Sequence, residues 1–180
     1  MKLVLIGIQG AGKSTQGNML SQELNIPYLS SGHVFREMAK EKTKLGRWLK
    51  ETLNSGALVP DDTTLEVILT YLEKPEYSRG YILDGFPRTV VQAVAFDKEG
   101  GADKVILLDV SDKEALWRIS GRVSDRDDET VQAIRKRIEL FHTETEPVVD
   151  FYKDQGKAIR VNGELDVDEV FAEIMKHLNN

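Results

Sequence analysis

The chain has 180 residues, of which 41% are hydrophobic, and its 24 Lys and Arg residues against 30 Asp and Glu residues give a formal charge of −6. This length fits one domain with a substantial core, and the absence of cysteine excludes disulfides, thiolate metal sites and cysteine nucleophiles. The acidic balance argues against general nucleic-acid binding. No apolar run approaches the roughly 20 residues that span a bilayer, and residues 1–7 are too short for a signal peptide, so we expect a cytoplasmic protein without a membrane partner.

Five short segments rich in β-branched and aliphatic residues predict buried strands. They are Lys2–Gly7, Pro27–Ser30, Gly80–Asp84, Lys104–Val110 and Lys157–Val161. Apolar residues at three- and four-residue spacing predict eight helices. These are Lys13–Leu24, Ser31–Lys42, Leu45–Leu53, Asp61–Glu73, Thr89–Lys98, Asp112–Gly121, Glu129–Lys153 and Asp166–Leu178. The alternation predicts an α/β domain with three layers, in which helices cover both faces of a doubly wound, five-stranded parallel sheet.

Two stretches are longer than simple crossovers between strands. Residues 31–60 contain two predicted helices between the second and third strands, and residues 119–127 form a polar connection ahead of the longest predicted helix. Extra segments beside an α/β sheet are typical of covers over a ligand site. We therefore expect both stretches to act as mobile covers of a single domain.

The strongest motif is the segment Gly7-Ile8-Gln9-Gly10-Ala11-Gly12-Lys13-Ser14, a complete G-x-x-x-x-G-K-[ST] pattern between the first strand and the first helix. Its glycines allow a tight turn whose N–H groups point at a phosphate. The Lys13 ammonium is expected to reach the β- and γ-phosphates, the Ser14 hydroxyl to contact Mg²⁺, and Thr15 to add a hydroxyl. The alternative is a turn that binds nothing, although a turn needs neither the lysine nor the hydroxyl.

A second set of polar residues follows the third strand. Asp84 ends that strand, the segment 85–89 then fixes a turn that carries Arg88, and Gln92 follows. A buried carboxylate at the carboxyl end of a parallel strand is predicted to face Mg²⁺ directly or through a water, the alternatives being a helix cap or a buried partner. A guanidinium such as that of Arg88 suits a phosphate. The N-K-x-D signature of switch GTPases is absent.

With these motifs the chain resembles the adenylate kinase family of nucleoside monophosphate kinases over essentially its whole length. The shared features besides the P-loop and the D-G-F-P-R-T-x-x-Q segment are Ser30-Ser31-Gly32 with Arg36, Gly56-Ala57-Leu58-Val59-Pro60-Asp61, the spaced Arg118 and Arg122, and Arg126-Asp127-Asp128 ahead of Arg137. The resemblance implies a P-loop kinase fold and the reaction MgATP + AMP ⇌ MgADP + ADP. It also implies Mg²⁺ as the cofactor and ATP, AMP and ADP as partners. The three histidines are too scattered for a zinc site, and the sequence does not determine the oligomeric state, for which a monomer is the default.

The resemblance also implies a division of the chain into segments. The core is expected to comprise residues 1–30, 61–118 and 128–180. Residues 31–60 would form the segment that binds the nucleoside monophosphate, and residues 119–127 a very short lid. Only three residues separate Arg122 from Arg126, which is shorter than the usual short lid of the family.

Site residues follow from the same resemblance. The residues expected at ATP are Gly10, Ala11, Gly12, Lys13, Ser14, Thr15, Arg118 and Arg122. The residues expected at AMP are Ser31, Arg36, Ala57, Leu58, Val59, Gly85, Arg88, Gln92, Arg126 and Arg137. The catalytic group would comprise Lys13, Arg88, Arg122, Arg126 and Arg137, and the metal would be held by Ser14 and Asp84.

Two positions depart from the family pattern. Ser31 stands where the family usually has Thr, and His33 where it usually has Asp. The smaller Ser31 side chain leaves more room beside the acceptor base, whereas Gln92 favours adenine. A broad-specificity or UMP/CMP kinase on the same fold is therefore the nearest alternative, and a non-catalytic nucleotide-binding regulatory protein is a second one.

Overall fold

The computed structural model describes residues 1–121 and 130–179 and is built around one parallel sheet. Its strands are β1 (Lys2–Ile6), β2 (Tyr28–Ser30), β3 (Tyr81–Asp84), β4 (Lys104–Asp109) and β5 (Ala158–Asn162). They lie in the order β2-β3-β1-β4-β5, and every neighbouring pair is parallel. The predicted five-stranded parallel sheet is thus confirmed.

Nine helices are described between and after these strands, joined in places by short turns. They are α1 (Lys13–Leu24), α2 (Ser31–Ala39), α3 (Lys44–Asn54), α4 (Asp61–Leu72), α5 (Val90–Lys98), α6 (Asp112–Ser120), α7 (Val131–Leu140), α8 (Glu146–Asp154) and α9 (Val167–Leu178). None of the helices in this part of the chain has both the length and the apolar character needed to cross a membrane.

Two apolar clusters place helices on opposite faces of the sheet. On one face, Leu20 of α1 and Ile174 of α9 pack with Leu5 of β1. On the other, Phe96 of α5 and Tyr152 of α8 pack in a cluster that also contains alternate strand residues. Side chains of a strand point alternately to the two faces, so a strand buried on both sides must be apolar throughout. This requirement explains the aliphatic runs of the inner strands β1, β3 and β4, whereas the edge strands β2 and β5 contain polar residues.

The longest predicted helix, Glu129–Lys153, is wrong as a single α-helix. Its described part begins at Val131 and is interrupted by a π-helical turn at Phe141–Thr145, after which α8 begins at Glu146. Pro147 has no N–H to give to the carbonyl of residue 143, and its ring would clash with that carbonyl in a regular α-helix. A wider turn ahead of the proline avoids this clash.

The stretch of residues 31–60 forms a small unit beside the sheet. Its helices α2 and α3 pack around a third apolar cluster of Phe35, Leu49 and Val59, which Met38 and Val67 connect to one of the sheet clusters. Gly56 lies directly against α7, since a Cβ at Gly56 would be 2.5 Å from the Ala133 carbonyl oxygen. The other predicted cover, residues 119–127, lies mostly outside the described residues, so its role as a lid stays a prediction.

Candidate functional site

The phosphate-binding motif forms a tight loop between β1 and α1. Gly10 and Gly12 have φ angles of 92° and 90°, a left-handed conformation that costs glycine little. A Cβ at Gly10 would also lie 2.7 Å from the Ala115 carbonyl oxygen, so α6 can pack directly on the loop. Within the loop, Lys13 Nζ donates hydrogen bonds to the carbonyls of Gly7 and Ile8 at 2.7 and 3.0 Å. The loop therefore has the backbone shape that the motif predicts.

One cleft brings together most of the predicted site residues. Its lining includes Gly10, Gly12, Lys13, Ser14, Arg36, Ala57, Leu58, Asp84, Gly85, Arg88 and Arg137. The register explains part of this convergence, because Asp84 pairs with Leu5 of β1 and with Ser30 of β2. The carboxyl ends of three neighbouring strands thus open into the same cleft, as expected for ligand sites in such sheets.

Several predicted residues lie behind or beside the cleft. Ala11, Ser31, Val59 and Gln92 are buried next to it, and Thr15 is exposed on α1. Arg118 lies on α6, where its Nε donates a 2.7 Å hydrogen bond to Glu114 on the same helix. Arg122 and Arg126 lie outside the described residues, so their positions stay predictions.

The carbonyl oxygen of Gly85 joins two predicted acceptor-site residues. It accepts hydrogen bonds from the Ser31 hydroxyl and from Arg88 Nε, both at 2.7 Å. Gly85 has a φ of 77°, and a Cβ there would lie 2.8 Å from Ser31 Oγ. Thr145, in the π-helical turn, donates through Oγ1 to the Arg88 carbonyl at 2.9 Å. The arginine therefore sits on a backbone that is fixed from both sides.

Positive charge is concentrated at this end of the cleft. Burial lowers the pKa of the Arg88 guanidinium, and the charges of Arg137 and Arg36 lower this pKa further, while Asp84 raises it. Arg137 Nη2 donates to the Leu53 carbonyl at 2.9 Å, and Nη1 donates to Gln9 at 3.3 Å. Arginines that repel one another in a partly dry cleft favour a multiply charged anion as ligand.

Gln92 is held from two sides. Its Oε1 accepts a 2.8 Å hydrogen bond from the Arg88 N–H, and its Nε2 donates a 2.8 Å bond to Asp61. Asp61 also accepts a 2.9 Å bond from the Thr89 hydroxyl, which in turn accepts from the Gln92 N–H at the start of α5. A carboxylate has no proton to donate when ionised, so Asp61 fixes which end of the Gln92 amide faces it.

Asp84 has the features expected of a residue beside a cation. Its side chain is buried at 7% exposure, and Oδ2 accepts a 2.7 Å hydrogen bond from the Tyr28 hydroxyl. Oδ1 is buried and has no hydrogen-bond partner among residues 1–121 and 130–179. A buried carboxylate oxygen is costly unless something pairs with it. Asp84 therefore has the buried partner that we gave as one alternative, and a second oxygen that remains suited to Mg²⁺ or its water.

The metal would depend on few protein ligands. No group of three or more His, Asp or Glu side chains in the described part of the chain is arranged to hold a metal ion. Mg²⁺ commonly uses one or two protein oxygens and completes its octahedron with phosphate and water oxygens. Ser14 and Asp84, which line the same cleft, fit that mode of binding.

Sequence reasoning missed four residues that hold the site. Tyr28, Asp61 and Thr145 contact Asp84, Gln92 and Arg88 through their side chains, and Leu53 contacts Arg137 through its carbonyl. Each contact joins residues at least 31 positions apart in sequence. Two sequence signals existed: Asp61 ends the segment 56–61 that carries the resemblance, and Tyr28 lies two residues before Ser30 in a predicted strand that ends at the site.

A phosphate loop, a switch-point carboxylate and an arginine cluster in one cleft of this sheet define a P-loop kinase. Comparison with known proteins agrees, since the profile of the adenylate kinase family matches residues 5–157. The protein is 34% identical to an adenylate kinase of Caldicellulosiruptor bescii over 99% of both chains. It is 36% identical to an adenylate kinase of Streptomyces coelicolor over 94% of both chains. A third relative, an adenylate kinase of Methanocella arvoryzae, is 35% identical over 97% of this chain and 96% of its own. The chain therefore belongs to the adenylate kinase family, which confirms the predicted resemblance.

Proposed function

We propose that this chain catalyses the reversible transfer of the γ-phosphoryl group from MgATP to AMP, giving two molecules of ADP. The observation that carries the proposal is the shared cleft, whose lining includes both Lys13 of the phosphate loop and the arginines Arg36 and Arg88. A simple ATPase needs only the phosphate loop. The additional arginines in the same cleft support a phosphorylated acceptor.

The donor half would hold the ATP phosphates. The backbone N–H groups of residues 10–15 would cradle the β-phosphate, and the Lys13 ammonium would balance the charge of the β- and γ-phosphates. Arg118 would lie against the base, on a helix that already packs on the loop through Ala115. Arg122 is proposed to reach the transferring group from the lid.

The acceptor half would hold AMP. Arg36 and Arg88 would bind its phosphate, and the backbone around residues 57–59 would line the ribose and base. Ser31 and Gln92 are proposed to contact the adenine. The Ser31 hydroxyl donates to the Gly85 carbonyl. The Gln92 amide accepts from the Arg88 N–H and donates to Asp61. The orientations of both side chains are therefore set before a nucleotide binds.

The chemical step needs alignment and charge balance rather than a general base. A phosphate oxygen of AMP is anionic at neutral pH and can attack the γ-phosphorus directly, with the ADP oxygen as the leaving group. Arg88 and Arg137 would stabilise the charge on the transferring group, together with Arg126. Exclusion of water by residues 31–60 and by the short lid would favour transfer over hydrolysis.

Magnesium would be held by the Ser14 hydroxyl and by Asp84, directly or through water. Bound there with ATP, the ion supplies charge neutralisation on the phosphates. The protein's part is to present two oxygens at the edge of the phosphate loop, and the unpartnered Asp84 Oδ1 supports this assignment.

A coupled assay of ADP formation tests the proposal. We expect ADP only when ATP, AMP and Mg²⁺ are all present, and we expect AMP to exceed CMP, UMP and GMP as the acceptor. Comparable turnover with all four acceptors would establish the broad-specificity alternative instead. ADP release that does not depend on any acceptor would show an ATPase, and nucleotide binding without turnover would show a regulatory protein.

A further inference from the structure

Tyr28 connects the edge strand β2 to the carboxylate of Asp84, the proposed magnesium ligand. Its backbone pairs with Ile82 in the register, two residues before the pair formed by Ser30 and Asp84. Residues 82 and 84 point to the same face of the sheet because side chains alternate along a strand. The Tyr28 side chain on that face therefore runs along β3 towards the cleft, where its hydroxyl donates to Asp84 Oδ2 at 2.7 Å.

The ring of Tyr28 packs directly against the backbone of α1, the helix that follows the phosphate loop. Gly17 of α1 is buried against this ring, and a methyl group at Gly17 would overlap Cε2 of Tyr28 and lie 2.6 Å from Cδ2. The helical backbone at Gly17 has no positive φ, so conformation alone does not call for glycine. The missing side chain instead makes room for the tyrosine, which would otherwise be pushed away from Asp84.

The contact makes the two oxygens of Asp84 unequal. Oδ2 is occupied by the Tyr28 hydroxyl, and Oδ1 is left without a protein partner in the described part of the chain. A carboxylate held at one oxygen has fewer orientations available, so the other oxygen is presented in a fixed direction. Tyr28 thus orients Asp84 in the same way as other residues that hydrogen-bond to a metal ligand orient that ligand.

We propose that Tyr28 is a positioning residue that aims Asp84 Oδ1 at the magnesium ion of MgATP or at its water. This inference rests on the proposed function, because it requires a metal–nucleotide complex in the cleft. The Tyr28 hydroxyl donates to Asp84, so its effect on the metal would pass through that carboxylate. Loss of its hydroxyl should weaken metal-dependent nucleotide binding without changing metal-free nucleotide binding.

The test is Tyr28→Phe, which keeps the ring on Gly17 and removes only the hydroxyl. Binding of Mn²⁺ to the enzyme with the non-hydrolysable donor AMP-PNP is measured by electron paramagnetic resonance, and AMP-PNP binding in EDTA by calorimetry. We expect Mn²⁺ affinity to fall about 10-fold, as for other outer partners of metal ligands, and affinity in EDTA to stay unchanged. Gly17→Ala, which displaces the ring, should act in the same direction.

Tyr81→Phe is the matched control. Its hydroxyl is also buried and donates a 3.1 Å hydrogen bond, to the Gly101 carbonyl, at the opposite end of β3. Loss of this bond should lower stability without altering Mn²⁺ affinity. If Tyr28→Phe behaves like Tyr81→Phe, with lower stability and unchanged Mn²⁺ affinity, the contact is merely structural and the inference fails.

A double-substitution cycle checks that Tyr28 acts through its carboxylate. In an Asp84→Asn background, Tyr28→Phe should produce no additional loss of Mn²⁺ affinity. If Tyr28→Phe lowers Mn²⁺ affinity in the Asp84→Asn background as much as in the unaltered chain, Tyr28 does not act through Asp84 and the inference fails. Failure of this inference is distinct from failure of the proposed function, since the latter would appear as absent AMP-dependent ADP formation in the unaltered chain.

Discussion

Asp61, the first residue of α4, accepts a 2.8 Å hydrogen bond from Nε2 of Gln92, a buried side chain that we propose contacts the acceptor base. The same Asp61 oxygen accepts from the Thr89 hydroxyl, which caps α5. The start of α4 follows directly on residues 31–60. This junction therefore fixes one end of that segment to the loop that carries Arg88.

Asp61→Ala should lower the free energy of unfolding by about 1–3 kcal/mol, because it leaves the buried Gln92 Nε2 without its acceptor. Denaturant unfolding followed by circular dichroism measures this loss. Asp61→Asn is the matched control, since its amide oxygen can still accept from Gln92, and it should lose less. Equal losses in the two variants would show that the negative charge, rather than the acceptor, stabilises the junction.

Gly85→Ala should weaken AMP binding more than ATP binding. The new methyl group would lie 2.8 Å from Ser31 Oγ and 3.1 Å from Arg88 Nη2, so these two proposed acceptor-site residues must move. The positive φ of 77° adds about 1–2 kcal/mol of backbone cost. Steady-state kinetics with each nucleotide varied should show a rise in KM for AMP with a smaller change in KM for ATP.

Gly156→Ala separates the two effects of that substitution. Gly156 has a similar φ of 68°, but a Cβ there meets nothing within 4 Å. It should therefore share the loss of stability and leave both KM values unchanged. A rise in KM for AMP in this variant would mean that general destabilisation, rather than contact with Ser31 and Arg88, explains the Gly85→Ala result.

Lys13→Met should lower kcat at least about 100-fold while the chain stays folded, because it removes the charge that we propose balances the transferring phosphoryl group. Initial rates with saturating ATP and AMP, together with a thermal melt, measure both properties. Lys153→Met, at an exposed position on α8, is the control and should retain full activity. A Lys13→Met enzyme with normal kcat would contradict the proposed role of the phosphate loop.

The elements that sequence predicted well are those whose cause is local. The inner strands β1, β3 and β4 are largely aliphatic because both of their faces are covered, and the phosphate loop is a contiguous motif whose glycines Gly10 and Gly12 adopt the expected left-handed angles. The interruption of the longest predicted helix was missed because the spacing of apolar residues carries no information about hydrogen bonding, and Pro147 has no backbone N–H to donate.

The supporting contacts of the site could not be predicted, since they depend on how distant segments meet. Tyr28 reaches Asp84 only because two strands 56 residues apart in sequence lie side by side. Arg137 donates a hydrogen bond to the Leu53 carbonyl, which is 84 positions away in sequence, where residues 31–60 contact α7. Asp84 and Arg137 are predicted site residues, but their partners Tyr28 and Leu53 look like ordinary residues in the sequence, and only the fold brings each pair together.

His142 bridges the first residue of α6 and the first residue of α8. Nε2 lies 2.8 Å from Asp112 Oδ1, and Nδ1 lies 2.9 Å from Glu146 Oε1. The hydrogen bond to Asp112 raises the pKa of His142 above its usual 6.5, burial opposes this, and Glu146 adds to it. Other charged groups line the neighbouring cavity, namely Asp109, Asp150, Arg160 and Glu164. Since both carboxylates only accept, both ring nitrogens can donate only when the imidazole is protonated.

The stability of the chain should therefore depend on pH through His142. The folded-state pKa is raised, so the bridge contributes fully below about pH 6.5, the unfolded value, and is lost as the pH rises through the higher folded pKa. Replacing His142 by Gln removes the titrating group. We expect the unfolding free energy of the unaltered chain, minus that of His142→Gln, to be larger at pH 5.5 than at pH 8.5.

Chemical denaturation at both pH values measures this difference, and His177→Gln provides the control. His177 is exposed on α9 and is not part of the bridge, so its substitution controls for the loss of a histidine as such. If His142→Gln shifts stability equally at the two pH values, the bridge does not stabilise the fold through protonation. A larger contribution of His142 at pH 8.5 than at pH 5.5 would reverse the sign and point to the neutral ring as the stabilising form.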